Sequence, residues 1–327
     1  MFRAIVTRDD DGVRSEVEEL DEAQLPDGDV TVRIDHSAIN YKDGLCLTGK
    51  GRIVRTFPHV PGIDFAGTVE ASDSPDFAAG DEVVLTGWRV GEVHWGGLAQ
   101  KARVKADWLL KRPSGMSSKD AAAAGTAGLT AALAILEIEG RGTKPGDGPV
   151  LVTGASGGVG SFAVAMLASR GHEVVASSGS ADRTDYLSAI GASEVIPRVD
   201  VSGPIQKPLE KERWAAVVDT VGGPGLGRIA TQMRYAGPIA AIGLPAGSRI
   251  EIELITFFVR AVALIGIDSV LAPNAVRQDA WRMIADHVPA AVMDRLATVH
   301  PLSDAPALGE QILRGGIAGR AVIDVNA

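Results

Sequence analysis

The sequence predicts an α/β protein of two domains: a β-barrel-like domain assembled from both ends of the chain, and a doubly wound parallel sheet between them. Three observations carry this. The chain has 327 residues, and at roughly 150 residues per domain that suggests two. Its texture changes near residue 120, from short β-type runs to alternating strands and helices. A glycine-rich turn at 154–160 follows an apolar strand and opens a helix. The expected boundaries are 1–120 plus 290–327 for the barrel-like domain and 121–289 for the nucleotide-binding domain.

In the first domain the β-type runs 3–7, 29–34, 67–71, 81–85 and 100–104 are separated by Gly, Pro and Asp. Short strands at such spacing indicate a compact β unit rather than alternating β and α. Residues 121–136 are rich in Ala and Leu and read as a helix carrying Gly125 and Gly128. From Pro149 onward the elements alternate: strand to 153, helix 158–170 stopped by Gly171, strand 173–177, helix 182–190 closed by Gly191. Strands follow at 194–197, 215–219, 239–243 and 263–267. Short apolar strands between helices form a parallel sheet covered on both faces. The tail 318–325 is strand-like again, and its return to the first domain would make that domain discontinuous.

Composition narrows the function. The net charge is −9, and an acidic chain without a basic tract is a poor nucleic-acid binder. Hydrophobic content of 46% and charged content of 22% suit a globular core. The uncharged stretch 148–169 contains five glycines and Pro149, so it reads as strand, turn and helix rather than a membrane span. The N-terminus lacks the apolar run of a signal peptide, and a cytoplasmic location without a membrane partner is expected. The single cysteine, Cys46, forms no intrachain disulfide and no thiolate cluster, and is expected as a small buried apolar side chain. The six histidines are scattered without ligand spacing, so no metal site is expected.

The chemical signal is the turn from Gly154 to Gly160. Glycines after a strand allow a tight turn, and pyrophosphate oxygens can then approach the amides at the helix N-terminus. The strand–turn–helix setting makes this a Rossmann-type dinucleotide site. An NAD site usually carries Asp or Glu about 20 residues on, bonding the ribose 2′-hydroxyl. Here the second strand ends in Ser178, Gly179 and Ser180, with no carboxylate before Asp182. Hydroxyls accept a 2′-phosphate and Arg183 or Arg198 neutralises it, which favours NADPH.

Residues 39–43 (Ile-Asn-Tyr-Lys-Asp), 61–67 (Pro-Gly-Ile-Asp-Phe-Ala-Gly), 80–83 and the turn resemble the zinc-independent medium-chain dehydrogenase/reductase family. The similarity runs from Arg3 to Val325. It implies a GroES-like β-barrel catalytic domain beside the Rossmann domain. Zinc-dependent members have a Cys ligand near the position of Asn40 and a His ligand near Ile63, and this chain has neither. Residues 40–45, 48–51, 57–67, 87–91 and 95–100, with the pair Pro197-Arg198, look like the acrylyl-CoA reductase (NADPH) group, often described as quinone-oxidoreductase-like. That resemblance implies reduction of acrylyl-CoA to propanoyl-CoA. It places cofactor contacts at Tyr41, Ser156, Gly157, Gly158, Val159, Ser178, Gly179, Ser180, Arg198, Leu244, Phe258 and Ser269. Ser180 departs from a basic residue in some relatives, and Gly315 from an Asn. The apolar strand region within 250–267 would, by the same resemblance, sit at a homodimer edge.

Tyr41 is the candidate proton donor or substrate orienter, because phenols hold their proton at neutral pH. Asn40 beside it is a candidate to support the ribose or the thioester carbonyl. Asp43 and Asp64 are expected to hold the turns. A CoA thioester brings phosphate charges, for which Lys50, Arg52, Arg55 and Arg89 are candidate contacts. The alternatives are an NADPH-dependent quinone or enone oxidoreductase on the same fold, and a non-catalytic NADPH-binding protein.

Overall fold

The computed structural model describes all residues from 1 to 327 except the side chain of Ala181. The chain divides into two compact units: Met1–Leu129, Ser269–Gln278 and Met293–Ala327 form one, Thr130–Asp268 and Asp279–Val292 the other.

In the first unit β1 (Phe2–Asp9) and β2 (Val13–Leu20) make an antiparallel hairpin. Then come β3 (Val30–Ile39), α1 (Tyr41–Thr48), β4 (Asp64–Ser72), β5 (Glu82–Thr86), β6 (Lys101–Val104) and β7 (Leu109–Lys111). The period-two rule is plain in β6, where Ala102 and Val104 are buried while Lys101 and Arg103 lie toward solvent. α2 (Ser118–Gly140) carries the chain into the second unit. It is long and apolar enough to cross a membrane by length and composition, and most of its apolar window is buried inside the protein.

The second unit runs β8 (Val150–Thr153), α3 (Gly158–Ser169), β9 (Val174–Ser178), α4 (Thr184–Ala189), β10 (Glu194–Pro197), α5 (Val199–Ser202), β11 (Ala216–Asp219), α6 (Pro224–Thr231), β12 (Pro238–Ala241), α7 (Leu254–Arg260) and β13 (Ala263–Gly266). Its six strands are all parallel, in the order β10-β9-β8-β11-β12-β13. All four residues of β8 and of β11 are buried, as two-sided coverage requires. The strand order reverses between β8 and β11, so the turn after β8 lies at the switch point where such sheets bind ligands. Strand structure within 250–267 is confined to β13, because Leu254–Arg260 is helical.

The chain closes with α8 (Asn274–His287), α9 (Ala290–Leu296), β14 (Ala297–Pro301), α10 (Ala305–Leu313) and β15 (Arg320–Asp324). β15 pairs antiparallel with β3, Ala321 opposite Ile39. The last strand therefore does return to the first unit, whose larger sheet runs β14-β15-β3-β4-β5-β7 with β6 also on β3. Ile5, Ile34, Phe65, Leu85 and Leu98 fill its core. Burying each such side chain contributes about 1.5–3 kcal/mol before entropy is charged.

Candidate active site

The turn after β8 is made by close approach. A Cβ on Gly160 would lie 2.4 Å from Gly154 O, so only glycine lets α3 begin this near the strand end. Thr153 Oγ1 donates to Asp219 Oδ1 at 2.6 Å, and Thr220 Oγ1 donates to Thr153 O at 2.8 Å, which ties β8 to β11. The first N–H groups of α3, beginning with Gly158 and Val159, have no acceptor within the helix.

The end of β9 meets this turn. Ser156 Oγ lies 3.4 Å from Ser178 Oγ, Ser180 N donates to Ser178 Oγ at 3.2 Å, and Arg198 N donates to Ser178 O at 2.8 Å. A Cβ on Gly179 would lie 2.5 Å from Arg198 Nη2, so the guanidinium sits directly over that glycine. Arg198 is exposed and has no ion-pair partner among the described residues, whereas Arg183 pairs with Asp182 at 3.7 Å. A pocket of about 110 Å³ beside the turn is lined by Thr153, Gly154, Ser177, Arg198, Asp219 and Gly222, among others. Asp219 is buried, and burial pushes its carboxyl up against the hydrogen bonds from Thr153 and Gly222. Hydroxyls, free amides and an uncommitted cation with no carboxylate at the end of β9 fit a dinucleotide bearing a 2′-phosphate. Leu244 and Phe258 belong to the same unit and are largely exposed. Tyr41 and the buried Ser269 belong to the first unit.

In the first unit Tyr41 is the first residue of α1 and is 45% exposed. Asn40, the candidate to support the ribose or the thioester carbonyl, is buried and bonds its carboxamide to neighbouring side chains. Its Nδ2 donates to Asp43 Oδ2 and Asp64 Oδ2, each at 3.0 Å, and its Oδ1 accepts from Arg320 Nη1 at 3.0 Å. Asp43 also accepts from Asn40 N at 2.8 Å and Ile63 N at 2.9 Å, fastening the start of α1 to the segment before β4. Asp64 accepts from Thr126 N at 2.7 Å, where Gly125 breaks the helical path of α2 with φ +43°. Arg320 Nη2 lies 3.7 Å from Asp64 Oδ2. All four side chains are buried. Burial, then the neighbouring Asp64, pushes the Asp43 carboxyl up to about 7. Burial also pushes Asp64 up, with Arg320 the main opposing influence. Asp43 and Asp64 do hold the turns around Tyr41, as expected.

Lys50, Arg52 and Arg55 are exposed on the chain after α1 and make no ion pair among the described residues. Arg89 is exposed and lies 3.6 Å from Glu92 Oε2, while Lys42 takes Glu92 Oε1 at 2.8 Å. Cys46 is buried in α1 and unpaired. The sequence reasoning missed Arg320, Arg277 and Asp219. Arg320 at the head of the apolar run 321–323 is the signal, since an arginine is seldom buried without partners.

Two family models match this architecture: the alcohol dehydrogenase GroES-like domain over residues 26–114 and the zinc-binding dehydrogenase over residues 158–286. The acrylyl-CoA reductase AcuI of Ruegeria pomeroyi is 49% identical over 330 residues, covering 100% of both chains.

The chain belongs to the acrylyl-CoA reductase group of the medium-chain dehydrogenase/reductase family.

A further relative, the putative quinone oxidoreductase YhfP of Bacillus subtilis, is 42% identical over 99% of this chain and 98% of its own. The structure of Escherichia coli YhdH with bound NADPH superposes with a TM-score of 0.96 at 47% identity, covering 99% of this chain and 100% of that one.

Proposed function

We propose that this reductase uses NADPH to reduce the carbon–carbon double bond of acrylyl-CoA, giving propanoyl-CoA. The end-to-end 49% identity with a named acrylyl-CoA reductase carries the reading, and the uncommitted Arg198 beside Ser178 and Ser180 suits the 2′-phosphate. Reduction of an enoyl thioester adds a hydride at Cβ and a proton at Cα, and it needs donors where enolate charge develops on the carbonyl. NADPH, when bound, supplies the hydride. Ser156, Gly157, Gly158 and Val159 hold the pyrophosphate through the amides opening α3. Ser178, Gly179, Ser180 and Arg198 hold the 2′-phosphate, with Arg183 flanking, and Leu244, Phe258 and Ser269 complete the cofactor contacts.

Tyr41 touches cofactor and substrate, its hydroxyl giving the proton at Cα or orienting the thioester. Asn40 acts through the helix start that carries Tyr41. Lys50, Arg52, Arg55 and Arg89 meet the phosphates of CoA. Catalysis is zinc-independent: Asn40 and Ile63 stand where the zinc-dependent relatives carry ligands, and the Asn40 carboxamide is spent on Asp43, Asp64 and Arg320. The enzyme works as a cytoplasmic homodimer. The edge strand β13 and the exposed Leu254, Phe258 and Leu264 near it support a second copy as the cover.

The test is NADPH consumption by the purified enzyme with acrylyl-CoA, a quinone and free acrylate, and with NADH in place of NADPH. Turnover confined to acrylyl-CoA with NADPH is expected. Turnover on the quinone alone would favour the second reading, which the Bacillus relative's description supports. NADPH binding without any turnover would make the protein non-catalytic.

A further inference from the structure

The loop after β5 carries backbone that L-residues avoid. Gly87, Trp88, Arg89 and Gly91 all have positive φ, with Trp88 at 56° and Arg89 at 60°. Two consecutive bulky residues in the left-handed region persist only where the surroundings force them. The side chain closest to that task is Arg277, near the start of α8 and 1% exposed. Its Nη1 donates to Thr86 O at 2.8 Å and Thr86 Oγ1 at 3.0 Å, just before the loop. Its Nη2 donates to Ser269 O at 2.9 Å and Val270 O at 2.8 Å, and its Nε to Ala272 O at 2.7 Å. The guanidinium lies over the Trp88 ring, 4.7 Å from its centroid. Trp88 N also donates to Val270 O at 2.9 Å, so the loop and the 269–272 segment close around one buried cation.

What this loop presents is Arg89. Its side chain is 55% exposed, and its only ion pair among the described residues is the 3.6 Å approach to Glu92, a carboxylate already held by Lys42 at 2.8 Å. A planar fork that saturates several carbonyls at once is work that lysine does not do.

We propose that Arg277 is a positioning residue for substrate binding: by clamping Trp88 and the carbonyls on both sides, it fixes Arg89 to receive the phosphates of the CoA nucleotide. The proposal rests on the acrylyl-CoA reading above.

The experiment compares kcat/KM for acrylyl-CoA with kcat/KM for acrylyl-pantetheine, which lacks the nucleotide phosphates. Arg89→Ala lowers the ratio of the two about tenfold, the worth of one charge-assisted contact. Arg277→Lys lowers the same ratio several-fold, roughly three or more, and the double variant falls no lower than Arg89→Ala. Trp88→Leu removes the ring stacked on Arg277 while keeping an apolar side chain against the core, and it gives the same comparison if Arg277→Lys does not fold. Equal losses on both substrates, or losses that multiply in the double variant, would make Arg277 merely structural and overturn the inference. A wild-type enzyme that ignores acrylyl-CoA would overturn the reading beneath it, which is a distinct result.

Discussion

Replacing Arg320 by Met tests whether the buried cluster beneath Tyr41 is held by charge. Arg320 is 2% exposed, and it donates to Ala123 O at 2.8 Å, Asn40 Oδ1 at 3.0 Å and Ile39 O at 3.2 Å. Its Nη2 is the cation nearest Asp64, at 3.7 Å. Met keeps most of the volume but leaves Asp43 and Asp64 as two buried carboxyls with no counter-charge. Removing one partner of a buried pair costs about 3–5 kcal/mol. The pH dependence gives the sharper signature. Both carboxyls are pushed above their ordinary range, Asp43 to about 7. A carboxyl raised in the folded state contributes fully below its unfolded pKa, and the contribution is lost as pH rises through the folded one. Without Arg320 both rise further, and each added unit costs about 1.4 kcal/mol above it. Urea unfolding of wild type and Arg320→Met at pH 5.5 and 8.5 should therefore show a deficit of about 3–5 kcal/mol at pH 8.5. At pH 5.5 it should be smaller by at least about 1 kcal/mol. An equal deficit at both values would refute the reasoning.

Three further outcomes follow from the nucleotide turn and the basic loop. Arg198→Ala should weaken NADPH binding about tenfold or more, with NADH binding little changed, in a fluorescence titration of each cofactor. Gly160→Ala places a Cβ 2.4 Å from Gly154 O, so NADPH binding should be lost while far-UV circular dichroism persists. Arg52→Ala combined with Arg55→Ala should raise the acrylyl-CoA KM several-fold (roughly three or more) and spare NADPH binding, the difference shrinking as salt screens the phosphates. An unchanged KM would remove these arginines from the substrate site.

The parts of the fold with local signatures were legible. β8, the turn and α3 read directly from an apolar run, clustered glycines and a helical continuation, because close approach forces glycine there. The returning tail strand was legible as a strand, and its partner β3 became visible only in the pairing of Ala321 with Ile39. β2 was invisible, since Val13–Leu20 carries four charged side chains and buries only Leu20 fully, so it offers no apolar alternation. The helix Leu254–Arg260 hid inside an apolar run that fits a strand equally well at that length.

The site divides along the same line. Ser156, Ser178, Gly179, Ser180 and Arg198 are drawn together by two adjacent parallel strands, β8 and β9, and the loop after β10, so sequence order within one supersecondary unit nearly gives their proximity. The inward turn of Asn40 depends on partners 24 and 280 residues away. No local pattern encodes such a contact. What the sequence does hold is its cost: an arginine beside the apolar run 321–323 and an aspartate in an apolar segment are each expensive to bury alone. The two costs are met together in the fold, where Arg320 Nη2 lies 3.7 Å from Asp64 Oδ2, and it is the pairing of β15 with β3 that brings them there.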